Sequence, residues 1–462
     1  MKRRTFLETM GAAALVGCGS KDGMDSATVA TAEGLELLRQ RIDTVVIVVM
    51  ENRSFDHFLG ALTLEEGRAD VDGLTADMTN PHPDGGDVAP FRSEVDCLSD
   101  PPHSWNSSHA QFNDGANDGF VSEFYNRAGG EVAAEAMGYW TRERLSTTYT
   151  LADAGVVCDQ WFCSLMTSTW PNRYYTQAAT SAGRTGNDIV LEPIDSIYTR
   201  LDAAGLSSAV YFGNVPFAAL LGESAPARME LIESFFEDAA AGTLPNLTMV
   251  EPVYGRNDDH PPAHPVAGQV LLASIYEALA SSPQWERCAL LITYDEHGGF
   301  FDHVPPPKAA DDRPDEGFDQ LGFRVPSLVV GPWVKPGHVS HVVYDHSSML
   351  AFVETLFELD PLTARDAAAD SMLDCFDLEA VAALAPVSLP TITASDEEIY
   401  GPDCVFSAFR SVEPGATGQP ELEAYADAHL AGTRLDRRAD TNRIYEWLLD
   451  HARSRGLLQS SS

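Results

Sequence analysis

Lysine is almost missing from this 462-residue chain: Lys2, Lys21, Lys308 and Lys335 are the whole complement. Lys and Arg together number 30 against 69 Asp and Glu, a formal net charge of −39. Removing residues 1–17 takes away Lys2, Arg3, Arg4 and Glu8 and leaves 27 basic against 68 acidic side chains. A surface this acidic repels nucleic acid and anionic membranes at low salt, so no nucleic-acid partner is expected. It also suits a saline setting, where charge is screened. No apolar run is long enough to span a bilayer. No internal repeat and no heptad pattern is present, which sets solenoids and coiled coils aside. Cysteine is scarce, and no spacing among the seven residues resembles a zinc-thiolate site.

What is present is globular. Apolar residues make up 44% of the chain, enough for a sizeable core, and the length allows one large or two to three ordinary domains. Lys2, Arg3 and Arg4 precede Thr5-Phe6-Leu7 and a short, weakly apolar stretch from Met10 to Val16. That pattern is a twin-arginine export signal. Leu15-Val16-Gly17-Cys18 resembles a lipobox with Cys18 as the acylated residue; the alternative is an ordinary signal peptide cleaved nearby. The expected location is the cell envelope, as a periplasmic or surface lipoprotein, or the exterior, with membrane association through lipidated Cys18. Residues 1–18 are read as signal and 19–41, rich in Gly, Ser, Asp, Ala and Thr, as a linker. Beyond Cys18 stand Cys97, Cys158, Cys163, Cys288, Cys375 and Cys404, an even number that permits disulfides outside the cytoplasm. Cys375 with Cys404 is the preferred pair, and Cys288, heading a buried strand, is expected free.

Strand and helix signals alternate. Strands are expected at 44–50, 208–213, 246–251, 288–294 and 325–331, and helices at 131–146, 172–182, 226–240, 265–281, 346–358 and 440–455. This alternation points to an α/β three-layer sandwich with a mostly parallel central sheet. Long Gly-, Pro-, Asp- and Asn-rich loops fill 62–130, 252–263 and 302–323, a length that marks functional or disordered segments. Residues 42–375 read as the catalytic domain and 376–462 as a helical C-terminal extension packed on it.

Two strand ends carry the chemistry. Thr44-Val45-Val46-Ile47-Val48-Val49-Met50 runs into Glu51-Asn52-Arg53-Ser54-Phe55-Asp56-His57, and Ala289-Leu290-Leu291-Ile292-Thr293-Tyr294 runs into Asp295-Glu296-His297-Gly298-Gly299. Continuous apolar runs of this length are buried on both faces of a parallel sheet. Ligands bind beyond the carboxyl ends of such strands. Two acidic clusters so placed, about 240 residues apart, read as one divalent-cation site built by the fold; an acidic loop cap is the alternative. Gly298-Gly299 permits close backbone approach.

Thr167-Ser168-Thr169-Trp170-Pro171-Asn172-Arg173 precedes a helical stretch, with Pro171 suited to its first turn. A hydroxyl there faces backbone N–H groups and the positive dipole end, which favour phosphate, and a metal can activate it as a nucleophile. A plain Ser/Thr helix cap is the other reading. Histidines gather in Pro-rich loops: His103, His260, His303 and His346, with weaker claims for His57, His109 and His264. Imidazole can donate to phosphate oxygens or protonate a leaving group.

These stretches resemble the bacterial phosphoesterase family that holds the non-specific phospholipases C and certain periplasmic acid phosphatases, within the alkaline phosphatase superfamily. The resemblance rests on Glu51 to Gly60, Thr169 to Arg173, Asn257 to Pro262, Tyr294 to Pro307 and Tyr344 to Ser348, in family order over about 42–360. It implies an alkaline-phosphatase-like fold. It also implies Glu51, Asn52, Asp295 and Glu296 as ligands of one divalent metal ion, and Thr169 as the phosphoryl-accepting nucleophile. His103 and His260 would hold phosphate where wider relatives place a second metal. His297, His303, His346 and Arg173 are further candidates. The chain departs from the pattern at His264, where Asp is expected after His-Pro-Pro, and it stops without the appended β-domains of longer family phospholipases.

The mechanism so implied is double displacement: Thr169 attacks phosphorus, the alcohol leaves with a proton from a histidine such as His260, and water cleaves the phosphothreonine. Oxygen-rich ligands suit Ca²⁺, Mg²⁺ or Mn²⁺, with Zn²⁺ also possible. The acidic surface and Trp105, Trp161, Trp170, Tyr174 and Tyr175 lean toward a diester with a choline-like head group, such as a phospholipid. Acid phosphatase on monoesters is the second reading. A third is a non-catalytic surface lipoprotein that binds metal or a phosphorylated ligand. No Cys/Ser-x-Pro-x-Arg pattern of a formylglycine sulfatase is present.

Overall fold

The computed structural model describes residues 26–190, 193–388, 390–395, 406–407, 410–411 and 417–459. The signal with Cys18, and Cys404, lie outside the described residues. The fold is a large, mostly parallel sheet flanked by helices on both sides, with a helical C-terminal segment.

The sheet has eight strands: β1 (Thr44–Met50), β2 (Val156–Cys158), β3 (Ser208–Phe212), β4 (Met229–Leu231), β5 (Leu247–Val250), β6 (Cys288–Tyr294), β7 (Leu328–Val330) and β8 (His338–Ser340). Their spatial order is β8-β2-β7-β6-β1-β5-β3-β4. Only β7 opposes its neighbours; every other pairing is parallel. All seven positions of β1 and of β6 are buried, as their unbroken apolar runs require. These two central strands pair in strict parallel register, from Thr44 beside Cys288 to Met50 beside Tyr294. Glu51 and Asp295 are therefore the next residue on each strand, and the Asp295 N–H donates to the Met50 carbonyl at 3.0 Å. Neighbouring strands lie about 4.8 Å apart, so this register alone brings the two acidic clusters together.

Helices at 265–280, 346–357 and 441–454 match expectation within a residue or so. The first is N-capped by His264, whose Nδ1 accepts from the Val266 N–H at 3.3 Å. The departure at His264 thus fills an acceptor role that an aspartate also fills. Three expectations give way. Residues 131–146 are broken into short turns and a strand Gly138–Tyr139, because tertiary hydrogen bonds from Ser93 N to Tyr139 O and from Trp140 N to His57 O claim the backbone; the helix there is Ser146–Ala154. Residues 226–240 divide into β4 and a helix Ile232–Ala241. Residues 26–41, expected within a linker, form a 16-residue helix with Leu38 buried. Gly34 lets that helix sit against Leu378 of the C-terminal segment, where a Cβ would meet the Leu378 side chain at 2.7 Å.

Cys375 is a free, buried thiol, as are Cys158, Cys163 and Cys288, so the expected Cys375–Cys404 pair is not made. Cys97 is the disulfide-bonded cysteine among the described residues.

Candidate active site

Beyond β1 the chain turns sharply. Asn52 takes a left-handed conformation (φ 58°), which Asn tolerates, and its backbone N–H donates to Asp295 Oδ1 at 3.1 Å. Gly298, also left-handed, packs so closely that a Cβ would lie 2.1 Å from the Asn52 carbonyl oxygen. Asp295 Oδ1 also accepts from the Glu296 N–H at 2.8 Å, and Glu296 Oε2 from the Gly298 N–H at 2.7 Å. The two strand ends are thus one hydrogen-bonded unit presenting Glu51, Asn52, Asp295 and Glu296, all fully buried.

The Thr169-to-Arg173 motif docks onto this unit at the start of the helix Thr169–Ala178. Each residue type has a visible task. Asn172 staples the preceding loop, accepting from Leu165 N at 2.9 Å and donating to the carbonyls of Leu165, Thr167 and Ser168. Arg173 reaches between the strand ends: Nε donates to Asp295 Oδ2 at 2.9 Å and Nη2 lies 3.1 Å from Glu51 Oε1. One guanidinium therefore touches two of the three acids named from sequence. Thr169 Oγ1 points to Asn52 Oδ1 at 3.5 Å.

His103 and His260 complete the rim, with ring centroids 6.1 Å apart. His103 Nδ1 meets the Pro101 carbonyl at 2.8 Å and His260 Nδ1 the Pro261 carbonyl at 2.7 Å. A carbonyl only accepts, so each Nδ1 carries a proton. His103 Nε2 faces inward, 3.4 Å from Asn52 Nδ2 and 3.7 Å from Glu296 Oε1.

The remaining histidines take other positions. His346 Nε2 donates to the backbone carbonyl of Asp295 at 2.7 Å, and burial pushes the ring down to about 4; it braces the strand end from behind. His297 sits in an aromatic box with Phe323 and Phe120, its Nε2 on Gln111 Oε1 at 2.8 Å, and burial lowers it to about 3. Gln111 in turn donates to the Pro102 carbonyl at 2.7 Å, so His297 steadies the loop that carries His103. His303 belongs to a separate network with Asp56, Asp72 and Arg324. Of the five aromatics singled out from sequence, Trp161, Trp170, Tyr174 and Tyr175 are core residues, Trp170 also bordering a pocket, and Trp105 packs at a tilt against Phe318 and His109.

Sequence reasoning missed Gln419. Its Nε2 donates to Glu51 Oε1 at 2.7 Å and Oε2 at 2.8 Å, so the C-terminal segment enters the site. The signal available was Gly418-Gln419-Pro420, a chain reversal followed by a proline at the first turn of the helix Pro420–Tyr425.

The residues present fit a hard divalent cation. Burial, opposed by Arg173, pushes Glu51 well above the usual carboxylate range and raises Asp295; burial, opposed by His103, pushes Glu296 up to about 8. Asp258 is similarly pushed up to about 6. Glu296 Oε1 is buried with no hydrogen-bond partner among the described residues. Several carboxylates around one guanidinium are short of positive charge, and oxygen donors in that state take Ca²⁺, Mg²⁺ or Mn²⁺. Two tighter groups have donor atoms within 4.8 Å of one another: Asp100, His103 and His260, and Asp56, Asp302 and His303. The second is already neutralised by Arg324, which lies 3.1 Å from Asp56 and 2.9 Å from Asp302.

The profile of the Phosphoesterase family matches residues 42–360. Non-specific phospholipase C1 of Arabidopsis thaliana is 39% identical over 372 residues, covering 71% of this chain and 69% of that protein. Phospholipase C A of Mycobacterium tuberculosis is 31% identical over 403 residues, covering 73% and 77%. The relatives are thus plant as well as bacterial. A Vibrio parahaemolyticus protein described as a member of the alkaline phosphatase superfamily overlays with a TM-score of 0.39 at 11% identity, over 73% of this chain and 78% of that one. With its five motifs in order on one sheet edge and this match to the family, the chain belongs to the phosphoesterase family and is a phosphoric ester hydrolase.

Proposed function

We propose that the protein is a phospholipase C-like hydrolase of phosphodiesters, working through a phosphothreonine on Thr169. The observation that carries this reading is the seating of the Thr169 hydroxyl on Asn52, at the end of β1, with His103 Nε2 on the same asparagine. A divalent cation held by Glu51, Asn52, Asp295 and Glu296 would supply Lewis-acid activation of the hydroxyl and offset negative charge at phosphorus.

The chain's own residues do the rest. Arg173 fixes the spacing of Glu51 and Asp295, and Asn52 aims the Thr169 oxygen. His103 and His260 hold the equatorial phosphate oxygens through Nε2. Because each Nδ1 proton is committed to a carbonyl, donation from Nε2 requires the imidazolium form. Thr169 gives up its hydroxyl proton to solvent and its Oγ bonds to phosphorus as the bond to the alcohol oxygen breaks, that oxygen taking the Nε2 proton of His260 in the imidazolium form; a water then attacks phosphorus, passes a proton to the now neutral His260 and displaces Thr169 Oγ.

Donation from both rings would also suit the oxygens of a phosphomonoester dianion, which keeps acid phosphatase as the second reading. Hydrolysis of p-nitrophenylphosphorylcholine against p-nitrophenyl phosphate, with divalent cations supplied and then chelated, decides between them. Faster cation-dependent turnover of the choline diester supports the proposal. Faster monoester turnover installs the phosphatase reading. Cation binding without turnover of either leaves a binding protein.

Export by the twin-arginine route, with Cys18 acylated, is part of the same proposal. Replacing Arg3 and Arg4 by Lys is expected to strand the protein in the cytoplasm, and Cys18→Ala to release it from membranes.

A further inference from the structure

A second buried network is built from the chain neighbours of three site residues. Arg53 follows Asn52, Asp259 precedes His260, and Tyr294 precedes Asp295. All three are buried. The Tyr294 hydroxyl donates to Asp259 Oδ2 at 2.7 Å, and Arg53 Nε donates to the Asp259 carbonyl at 2.8 Å. The Asp258 carbonyl takes the Glu51 N–H at 2.8 Å. Two consecutive peptide oxygens leading into His260 are thus held by the two residues that flank Asn52.

This network has little room to move. Asp259 is left-handed (φ 71°), and a Cβ on Gly268, in the helix at 265–280, would come 2.1 Å from its Oδ1. The Arg53 guanidinium lies 4.7 Å from the Trp140 ring centroid and 4.9 Å from that of Phe300. Its Nη1 is 3.3 Å from His57 Nε2, and His57 Nδ1 gives its proton to the Gly138 carbonyl at 2.7 Å, leaving Nε2 as the acceptor. Arg53 Nη2 and Asp259 Oδ1 are buried with no hydrogen-bond partner among the described residues. Buried charge kept for stability alone would have those positions filled, or would give way to apolar packing. What the bonds do fix is the peptide that carries the His260 ring.

We infer that Arg53, Asp259 and Tyr294 are positioning residues for proton donation: they set His260 against Asn52 and so against the Thr169 oxygen. The inference rests on the reading of His260 as the acid. That proton goes to the oxygen of the departing alcohol, and p-nitrophenolate departs without it. A displaced His260 therefore slows an alkyl ester far more than an aryl one, whereas a loosened fold slows both alike.

The test uses the full chain with its divalent cation. The substrates are p-nitrophenylphosphorylcholine and glycerophosphocholine, which share phosphocholine and differ in the leaving oxygen; if monoesters are the faster class, p-nitrophenyl phosphate and glycerol phosphate take their place. Tyr294→Phe is expected to lower kcat on the alkyl ester about tenfold more than on the aryl ester, and Arg53→Gln about a hundredfold more. Arg53→Gln also leaves the Asp259 charge uncompensated. Adding Asp259→Asn, which suits the left-handed backbone and still accepts from Tyr294, is expected to restore the melting temperature but not the alkyl-ester rate, since the bond to the Asp259 carbonyl stays absent. Equal losses on the two esters, or recovery of rate together with stability, overturns the inference. His260→Ala is the reference. A selective alkyl-ester loss there, with none in the Arg53 and Tyr294 variants, strikes the positioning role and leaves the acid assignment standing. Equal losses in His260→Ala overturn the acid assignment and the inference together.

Discussion

Gln419 places its amide nitrogen between the two carboxylate oxygens of Glu51, 368 residues away in the chain. With Arg173 on the same carboxylate, Glu51 has a donor from each side and its orientation is fixed before any ligand arrives. Gln419→Leu keeps bulk but removes the donor. It is expected to weaken divalent-cation affinity and lower kcat/KM about tenfold, as loss of an outer hydrogen bond to a metal ligand does elsewhere. Fold stability should fall by about 1–3 kcal/mol, the cost of one orphaned buried acceptor. Cation titration of activity beside a urea melt separates the two effects.

Thr169 carries the sharpest chemical prediction. Thr169→Ala is expected to reduce kcat about 1,000-fold or more while leaving the thermal transition nearly unchanged, since one hydroxyl at 3.5 Å adds little to folding. Thr169→Ser should retain measurable turnover. Acid-quenched wild-type enzyme should carry phosphate on the peptide containing Thr169, detectable by mass spectrometry. Near-wild-type turnover by the alanine variant ends the nucleophile assignment.

Arg173 is 2% exposed and bridges two buried acids. Removing the cation leaves both carboxylates uncompensated. Arg173→Gln is therefore expected to cost about 3–5 kcal/mol of stability, read as a lower urea midpoint. Lys is not an adequate substitute, because a single ammonium cannot reach both acids with the fixed geometry of the guanidinium.

The site's frame was legible because unbroken apolar runs announce buried parallel strands, and their in-register pairing then places Glu51 beside Asp295. The Thr169-to-Arg173 motif was legible from its proline and its hydroxyls. What stayed hidden has a physical reason in each case. Gln419 lies in a segment with no periodicity, and a lone glutamine after a glycine reveals nothing about a partner 368 residues distant. Residues 131–146 have strong helix propensity, yet the bonds from Trp140 N to His57 O and from Ser93 N to Tyr139 O outweigh it. His303 and His346 occur in the right motifs, but their rings serve Asp56 and the Asp295 backbone, which no spacing rule could tell from a role at phosphorus.

His303 gives a pH prediction of definite sign. Burial works against its charge, but the Asp56 and Asp72 carboxylates outweigh burial and raise the ring to about 10. The folded value lies above the unfolded one, near 6.5. The stabilisation is thus fully present below about pH 6.5 and is lost as pH rises toward about 10. His303→Gln should remove this contribution. The stability gap between wild type and variant, from urea melts, is expected to shrink by about 1–2 kcal/mol between these limits. A gap that is constant with pH would show the ring to be neutral in the folded protein.

Gly298 tests whether the strand ends act as one unit. Its φ of +65° disfavours any side chain, and a Cβ would come within 2.1 Å of the Asn52 carbonyl oxygen. That oxygen belongs to backbone rather than to a flexible side chain, so the loop itself must move. Asn52 would shift with it, and with Asn52 go the Thr169 contact and the hydrogen bond to Asp295. Gly298→Ala is expected to cost about 2–4 kcal/mol and to abolish most activity even at temperatures where the variant is folded. A control at Gly67, also left-handed (φ +71°) but with nothing within 4 Å of its Cβ position, isolates the clash from backbone strain. Gly67→Ala should lose about 1 kcal/mol and keep full turnover. Equal effects at the two positions would mean that the approach of the two strand ends does not position Asn52.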